Sequence, residues 1–468
     1  MDSAGRSNLL IAGLLAGIFL AAIDSTVVSV AMPTIAASLR GLEMYSWTFT
    51  AYILTSTVSG PLWGRVSDVY GRKTIYLLGV LIFLAGSFLC GVASDMVQLI
   101  VFRAVQGLGG GALLVLTFTL VGELFSLKER AKAAGYTSSV WALASIVGPP
   151  LGGLIVDSLG WRWIFYINLP VGALCVAIAL RKLSNIRRGG EGVDFRGALL
   201  FMAAATTLLL YLNEFDRLSG APVFIVSSVL LFGVFLYSER KSSTPLLPLH
   251  LFRDKVLRAG FLSNFLAGFI FFGVIAYMPL YLQSVLGLSA TASGTAVLPL
   301  VVGWVLASNV AARLVIKTSV RIPAVISGVS LLAGTALLTQ LRLGESVLLP
   351  AFGLVGVGMG FTVSTFLITT QTLVSRNILG VATSILSFLR LIGGAIAAAV
   401  MWIPLGVTFR RVEVAPDFSS SLTAAEKLAF TNGLTVSMAV AAGAATLAMI
   451  IVLLTPSIKL KEQRREGA

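Results

Sequence analysis

The hydrophobic positions of this chain come in long unbroken runs, not in stripes. Fourteen runs are visible, at roughly 9–31, 44–63, 74–94, 97–120, 133–157, 163–181, 194–213, 221–238, 258–282, 291–314, 321–340, 346–371, 378–403 and 430–455. Each is close to the length of about 20 residues that a helix needs to cross a hydrocarbon core. Helices apolar on every side are surrounded by lipid or by other helices. Polar residues, glycine and proline collect in the short stretches between the runs, which read as connections. The pattern predicts an all-α polytopic membrane protein with 14 transmembrane helices. The runs group as six, two and six. Residues 1–181 form a first six-helix bundle, and 182–257 hold two additional helices with basic linkers. Residues 258–468 form a second six-helix bundle and a tail. One outer connection, 406–428, is long. Its Thr423-Ala-Ala-Glu426 is a capping-box pattern that starts the last helix early. The linker segment Leu246–Leu257 mixes apolar and basic residues and is expected to lie along the membrane surface.

Composition agrees. The 468 residues are 57% hydrophobic and 12% charged, against about a quarter charged in a soluble domain. No connection is long enough for a soluble enzyme domain. The first run is too long for a signal peptide and carries an acid, Asp24. A net charge of +14 invites a nucleic-acid reading, but the great majority of the 34 Lys and Arg fall on one side of the predicted spans. That is the positive-inside asymmetry. It puts both termini in the cytoplasm and leaves nucleic acid with no role. Cys90 and Cys175 fall at different depths of separate runs and read as packing residues. The single histidine, His250, sits in a linker. A histidine-based catalytic or metal centre is therefore not expected.

A few polar residues interrupt the apolar runs, and they carry the candidate chemistry. Asp24 is the one acid well inside a span. It lies about 22 Å up the first helix at 1.5 Å per residue. Arg103, in Arg103-Ala-Val-Gln106-Gly107 of the fourth run, falls at about the same depth. An arginine there costs at least about 2.5–3.5 kcal/mol on insertion scales, so it must face a partner or a cavity. Desolvation favours neutral Asp24 and Arg103 favours the ionised form, a balance suited to taking up and releasing a proton. The fifth run contains Gly148-Pro149-Pro150-Leu151-Gly152-Gly153. Proline breaks backbone bonds and glycine admits close approach. The motif predicts a kinked helix pressed against a helix of the second bundle.

The loop after the second run reads Gly64-Arg-Val-Ser-Asp68-Val-Tyr-Gly71-Arg72-Lys73. It resembles the loop signature of the major facilitator superfamily. The Arg103 segment resembles that superfamily's intramembrane arginine motif, and Gly148–Gly153 its antiporter motif. The run Gly160-Trp-Arg-Trp-Ile-Phe-Tyr-Ile-Asn168-Leu-Pro170 is similar to the start of the sixth span in the fourteen-span drug:proton antiporters. The resemblance covers nearly the whole chain, with its sharp motifs between residues 20 and 172.

The resemblance implies a major facilitator fold of two six-helix bundles plus two extra helices. It implies a proton-coupled antiporter that exports lipophilic or amphipathic compounds by alternating access. It is not an enzyme and needs no cofactor beyond the proton gradient. Its partners are a lipophilic small molecule, protons and membrane lipid, and it works in the cell membrane as a monomer. A dedicated exporter of one amino acid, lipid or siderophore is the alternative on the same fold. Asp24 and Arg103 would couple protons. Gly64, Asp68, Gly71, Arg72, Lys73, Glu123 and Arg130 would form a cytoplasmic latch. Asn264, Phe271, Phe272, Tyr277, Trp304 and Gln371 are candidates to line the cavity. Spans 9 to 14 carry no Asp or Glu, and Arg390 is the charge inside them.

Overall fold

A computed structural model gives the fold. It describes the backbone of residues 3–124, 127–183, 185, 195–213, 223–242, 245, 247, 249–341, 345–374, 379–411 and 422–460, with the side chains of most of them. Among these residues every regular element is a helix. In chain order they are α1 (Ser3–Ser38), α2 (Tyr45–Tyr70), α3 (Arg72–Val92), α4 (Met96–Leu124), α5 (Leu127–Leu159), α6 (Trp163–Tyr166), α7 (Asn168–Lys182) and α8 (Phe195–Asn213). They continue with α9 (Val223–Lys241), α10 (Lys255–Ser284), α11 (Ala290–Lys317), α12 (Arg321–Leu338), α13 (Glu345–Leu373), α14 (Leu379–Val400), α15 (Trp402–Arg411) and α16 (Ala424–Leu453). Eleven helical stretches among the described residues are long and apolar enough to cross a membrane. The other three apolar runs of the sequence fall on α2, α5 and α8. The last two contain the shorter apolar stretches Ile146–Leu159 and Leu199–Leu212.

The chain forms two compact units. Unit 1 comprises Met1–Leu208, Pro222–Leu246 and Leu288–Thr295. Its hub is α4, which packs on α1, α2 and α3. The glycine run Gly107–Gly111 makes this possible. A Cβ on Gly109 would fall on the backbone of Phe83 in α3, and one on Gly111 on the Ser56 carbonyl in α2. With no hydrophobic drive between helices in lipid, such close approach is the main source of adhesion. Leu14, Leu20, Tyr76, Phe83, Leu113 and Leu116 fill the core around it. Gly71, at φ +102°, turns the chain between α2 and α3, a conformation that costs a residue with a Cβ. Helices α8 and α9 pair through Ser228, whose hydroxyl donates to the Ala204 carbonyl at 2.9 Å, and through Phe201 and Phe235, edge to face at 5.3 Å. The rest of α9 exposes Val226, Val229 and Leu230. An apolar surface of that extent needs lipid against it.

Unit 2 comprises Leu209–Ala221, Leu247–Gly287 and Ala296–Ala468. It is built around α10, buried along nearly its whole length. Asp254 caps α10 by accepting the Val256 and Leu257 amides at 2.8 Å each. α10 packs on α13, α14 and α16. The capping box of the sequence forms: Thr423 and Glu426 exchange side-chain and backbone bonds at the start of α16. The linker ahead of α10 is a short 3₁₀ turn, Leu249–Arg253. Leu251 and Phe252 of that turn join the core of unit 2, with Phe252 4.9 Å from the Phe261 ring. Cys90 and Cys175 are free and buried.

Candidate functional site: a buried polar cluster in unit 1

Five helices bring one polar side chain or more to a single buried point. Asp24 comes from the middle of α1, and Arg103 and Gln106 come from one face of α4, three residues apart. Asn168 opens α7, Ser87 belongs to α3 and Tyr52 to α2. Arg103 Nη1 donates to Asp24 Oδ2 at 2.6 Å, and both side chains are within 1% of complete burial. The equal depths expected from the sequence thus become a direct ion pair. Gln106 Nε2 donates to Asp24 Oδ1 at 2.8 Å, and Asn168 Nδ2 donates to the same oxygen at 3.2 Å. Asp24 therefore accepts from three donors.

The cation also has more than one contact. Arg103 Nη1 donates to Gln106 Oε1 at 2.7 Å, and its guanidinium lies 4.1 Å over the Tyr52 ring. Its Nε has no hydrogen-bond partner among the described residues. Asn168 is itself held by a bond to Ser87 Oγ at 3.0 Å, and Ser87 donates to the Phe165 carbonyl at 2.8 Å. Chemically, this arrangement holds a carboxylate in an apolar interior and gives the arginine a second acceptor and a ring face. If the carboxylate is neutralised, Arg103 keeps Gln106 and Tyr52. Sequence reasoning alone does not pick out Gln106, Asn168, Ser87 or Tyr52 as site residues. The one available pointer is the three-residue spacing of Gln106 from Arg103.

The Gly148–Gly153 segment stands beside this cluster. Helix α5 runs unbroken through Pro149 and Pro150. Gly148 faces Thr26 of α1, and a Cβ on Gly152 would lie 3.0 Å from the Val27 Cα. Val27 is three residues beyond Asp24. Gly153 instead faces the backbone of Ala290 and Thr291, and Gly294 faces Pro149. These residues belong to Leu288–Thr295, the start of α11, which groups with unit 1. One turn further, Asp157 Oδ2 accepts from the Thr291 amide at 2.9 Å and from its hydroxyl at 2.6 Å. The motif thus packs on two helices, where the sequence reading expected one.

The residues of the loop between α2 and α3 are placed in part. Arg72 is buried and its Nη1 donates to the Gly64 carbonyl at 2.9 Å and to the Ser67 hydroxyl. Lys73 Nζ donates to the Leu180 carbonyl at 2.7 Å. The side chains of Asp68, Glu123 and Arg130 lie outside the described residues. In unit 2, Phe271 packs edge to face on Phe272 at 5.5 Å and on Trp304 at 5.0 Å. Tyr277 is buried, donates to the Ala398 carbonyl and stacks on Trp402 at 6.3 Å. Asn264 is buried and donates to the Gly260 carbonyl at 2.9 Å, while its Oδ1 has no partner among the described residues. Gln371 is exposed on α13. Among the described residues no group of three His, Cys, Asp or Glu could hold a metal ion.

A buried acid–base pair at the meeting of five membrane-type helices is a transport feature on many folds. The sequence decides among them, because it matches the Major Facilitator Superfamily over residues 14–398. The chain belongs to this superfamily. It is a multi-pass membrane transporter and not an enzyme. It is 36% identical over 408 residues to the multidrug transporter protein MdtP of Bacillus subtilis (strain 168), covering 85% of this chain and 75% of that protein. Multidrug resistance protein 3 of the same organism is 33% identical over 403 residues, covering 84% of this chain and 78% of that protein. The fold is similar to a bacterial homolog of the human lysosomal transporter Spinster, with TM-score 0.71 at 17% identity over 97% of this chain and 98% of that one. The superfamily transporters are thus the frame in which the Asp24 cluster has to be understood.

Proposed function

We propose that this transporter is a proton-coupled antiporter that exports lipophilic and amphipathic compounds. It belongs, on this reading, to the fourteen-span drug:proton branch. Helices α2, α5 and α8 supply the three spans beyond the eleven, both termini are cytoplasmic, and the monomer works in the cell membrane. Two six-helix bundles rock by alternating access, with α8 and α9 outside them. Kinship with proteins named multidrug transporters supports the drug class. The observation that carries the coupling is the buried bond between Asp24 and Arg103. Protonation of Asp24 removes the charge that Arg103 pairs with. Arg103 then shifts to Gln106 and Tyr52, and the packing around α1 changes state. Deprotonation on the other side restores the pair. One inward elementary charge across 100 mV supplies about 2.3 kcal/mol, enough for about a fifty-fold substrate gradient.

The cytoplasmic loop from Gly64 to Lys73 would close one side of the path, with Asp68 accepting from a basic partner such as Arg130 and Glu123 joining the network. The glycines of α5 would keep the path tight to protons when no substrate is bound. The test is a panel of lipophilic dyes and drugs in cells that express the protein, with and without a protonophore. The reading predicts export of several compounds and its loss on adding protonophore. Export that continues at the same rate without a proton gradient contradicts it.

A further inference from the structure

Unit 2 contains a charge that nothing among its described residues balances. Arg390 lies in α14, about 12 Å in from Ala382 and about 27 Å from Thr408 along the apolar stretch those residues bound. It has no ion pair or hydrogen-bonded side-chain partner among the described residues. The spans of the second half of the sequence hold no Asp or Glu to serve as one. Arg103 makes the contrast plain, since it is wrapped by Asp24, Gln106 and Tyr52. An arginine at membrane depth without a side-chain partner faces the bundle interior or a water-filled cavity, or reaches the membrane interface.

The rest of α14 points the same way. Its small residues face α10: Gly393 meets the Phe265 backbone, Gly394 meets Phe272, and the Arg390 backbone itself meets Gly268. Four polar residues overlap the edge of this packed face. Ser384 and Ser387 are exposed, and Thr383 and Arg390 are half-exposed. At 100° per residue these four lie within one third of the helix circumference. The Thr383 hydroxyl is satisfied by the Leu379 carbonyl at 2.9 Å, so the half-exposed Arg390 guanidinium is the group here that lipid cannot solvate. One turn before Gly268 on α10, Asn264 keeps an unpartnered Oδ1, a second polar group that the described part of unit 2 does not satisfy internally.

We propose that Arg390 is an anion-binding subsite of unit 2, which takes the carboxylate, sulfonate or phosphate group of an amphiphilic substrate. Arginine suits this role because its planar fork bonds such groups bidentately and it stays charged. The proposal rests on the export reading for the word substrate, but the binding itself does not depend on export. Acidic aromatic compounds then become preferred over cationic ones of the same size.

The experiment is equilibrium dialysis of 2-naphthoate and of the N-methylquinolinium cation against the full-length protein in phosphatidylcholine nanodiscs. Wild type should bind naphthoate more tightly than quinolinium by at least about tenfold, the scale of one charge-assisted pair. Arg390→Gln should remove that preference, and Arg390→Lys should keep part of it. If the Gln variant does not fold, the preference measured in wild type decides by itself. Equal binding of the two probes, or an unchanged preference in a folded Arg390→Gln, overturns the subsite. Loss of naphthoate binding when phosphatidylglycerol is added to the discs overturns the substrate assignment, because a lipid headgroup then holds the arginine. Naphthoate that binds as expected but is never exported by proteoliposomes leaves the subsite standing and contradicts the export reading instead.

Discussion

At the residue scale, the Asp24 cluster is a set of mutual obligations. A buried ion pair is weak evidence of stability, since two charges had to leave water, yet removing one partner strands the other. Arg103→Leu should therefore destabilise by about 3–5 kcal/mol. The double variant Asp24→Leu with Arg103→Leu should be more stable than Arg103→Leu alone. Chemical denaturation of purified protein measures both, and a double variant no better than the single one contradicts the obligation. Gln106 bonds both charged partners. Gln106→Leu should cost about 1–3 kcal/mol, as for any polar group whose buried partners are left unpaired. Gln98, which bonds only at the exposed start of α4, is the control and should cost far less as Gln98→Leu. Asp24 and Arg103 are legible in the sequence because a charge inside an apolar run has to be explained. Gln106, Asn168 and Ser87 are not. A neutral polar residue in a helix can satisfy itself locally, and only the packing of five helices selects the ones that meet.

At the scale of elements, α5 acts through the sizes of its side chains. Its motif announces that something packs closely, and cannot say what. Smallness is written in the sequence, whereas the partner depends on which way each glycine faces. Gly152 faces Val27, near Asp24, and Gly153 the first turn of α11. The two glycines should therefore fail differently. Gly152→Leu pushes α1 away from α5 and disturbs the Asp24 bonds, at an overpacking cost of about 1–3 kcal/mol. It should impair export and raise proton leak without substrate, read as internal pH in proteoliposomes under an imposed gradient. Gly153→Leu meets backbone atoms of Ala290 and Thr291, which move only with the helix they begin, and should depress protein yield as well. Leak at the wild-type level in both variants would reduce the motif to ordinary packing. The capping box at Thr423 is readable because a cap is a local matter of four residues. The linker before α10 is the opposite case. Its apolar and basic mix says that one side is covered, and the structure adds that Leu251 and Phe252 pack on the core of unit 2.

At the scale of the whole molecule, hydrophobic run length carries the fold, because a lipid-spanning backbone has to be helical. Superfamily membership and a transporter's role follow from the match over residues 14–398. The central claim is that Asp24 exchanges a proton in step with substrate. The measurement is made in proteoliposomes with a pH-sensitive dye inside and a pH gradient imposed. Substrate is added on the cytoplasmic side, and wild type is compared with Asp24→Asn at equal protein. The amide keeps the shape of the carboxylate and loses its charge and its titration. The account predicts that substrate addition drives proton movement in wild type and none in Asp24→Asn, with substrate binding retained by the variant. Substrate-driven proton movement of wild-type size in Asp24→Asn would contradict it.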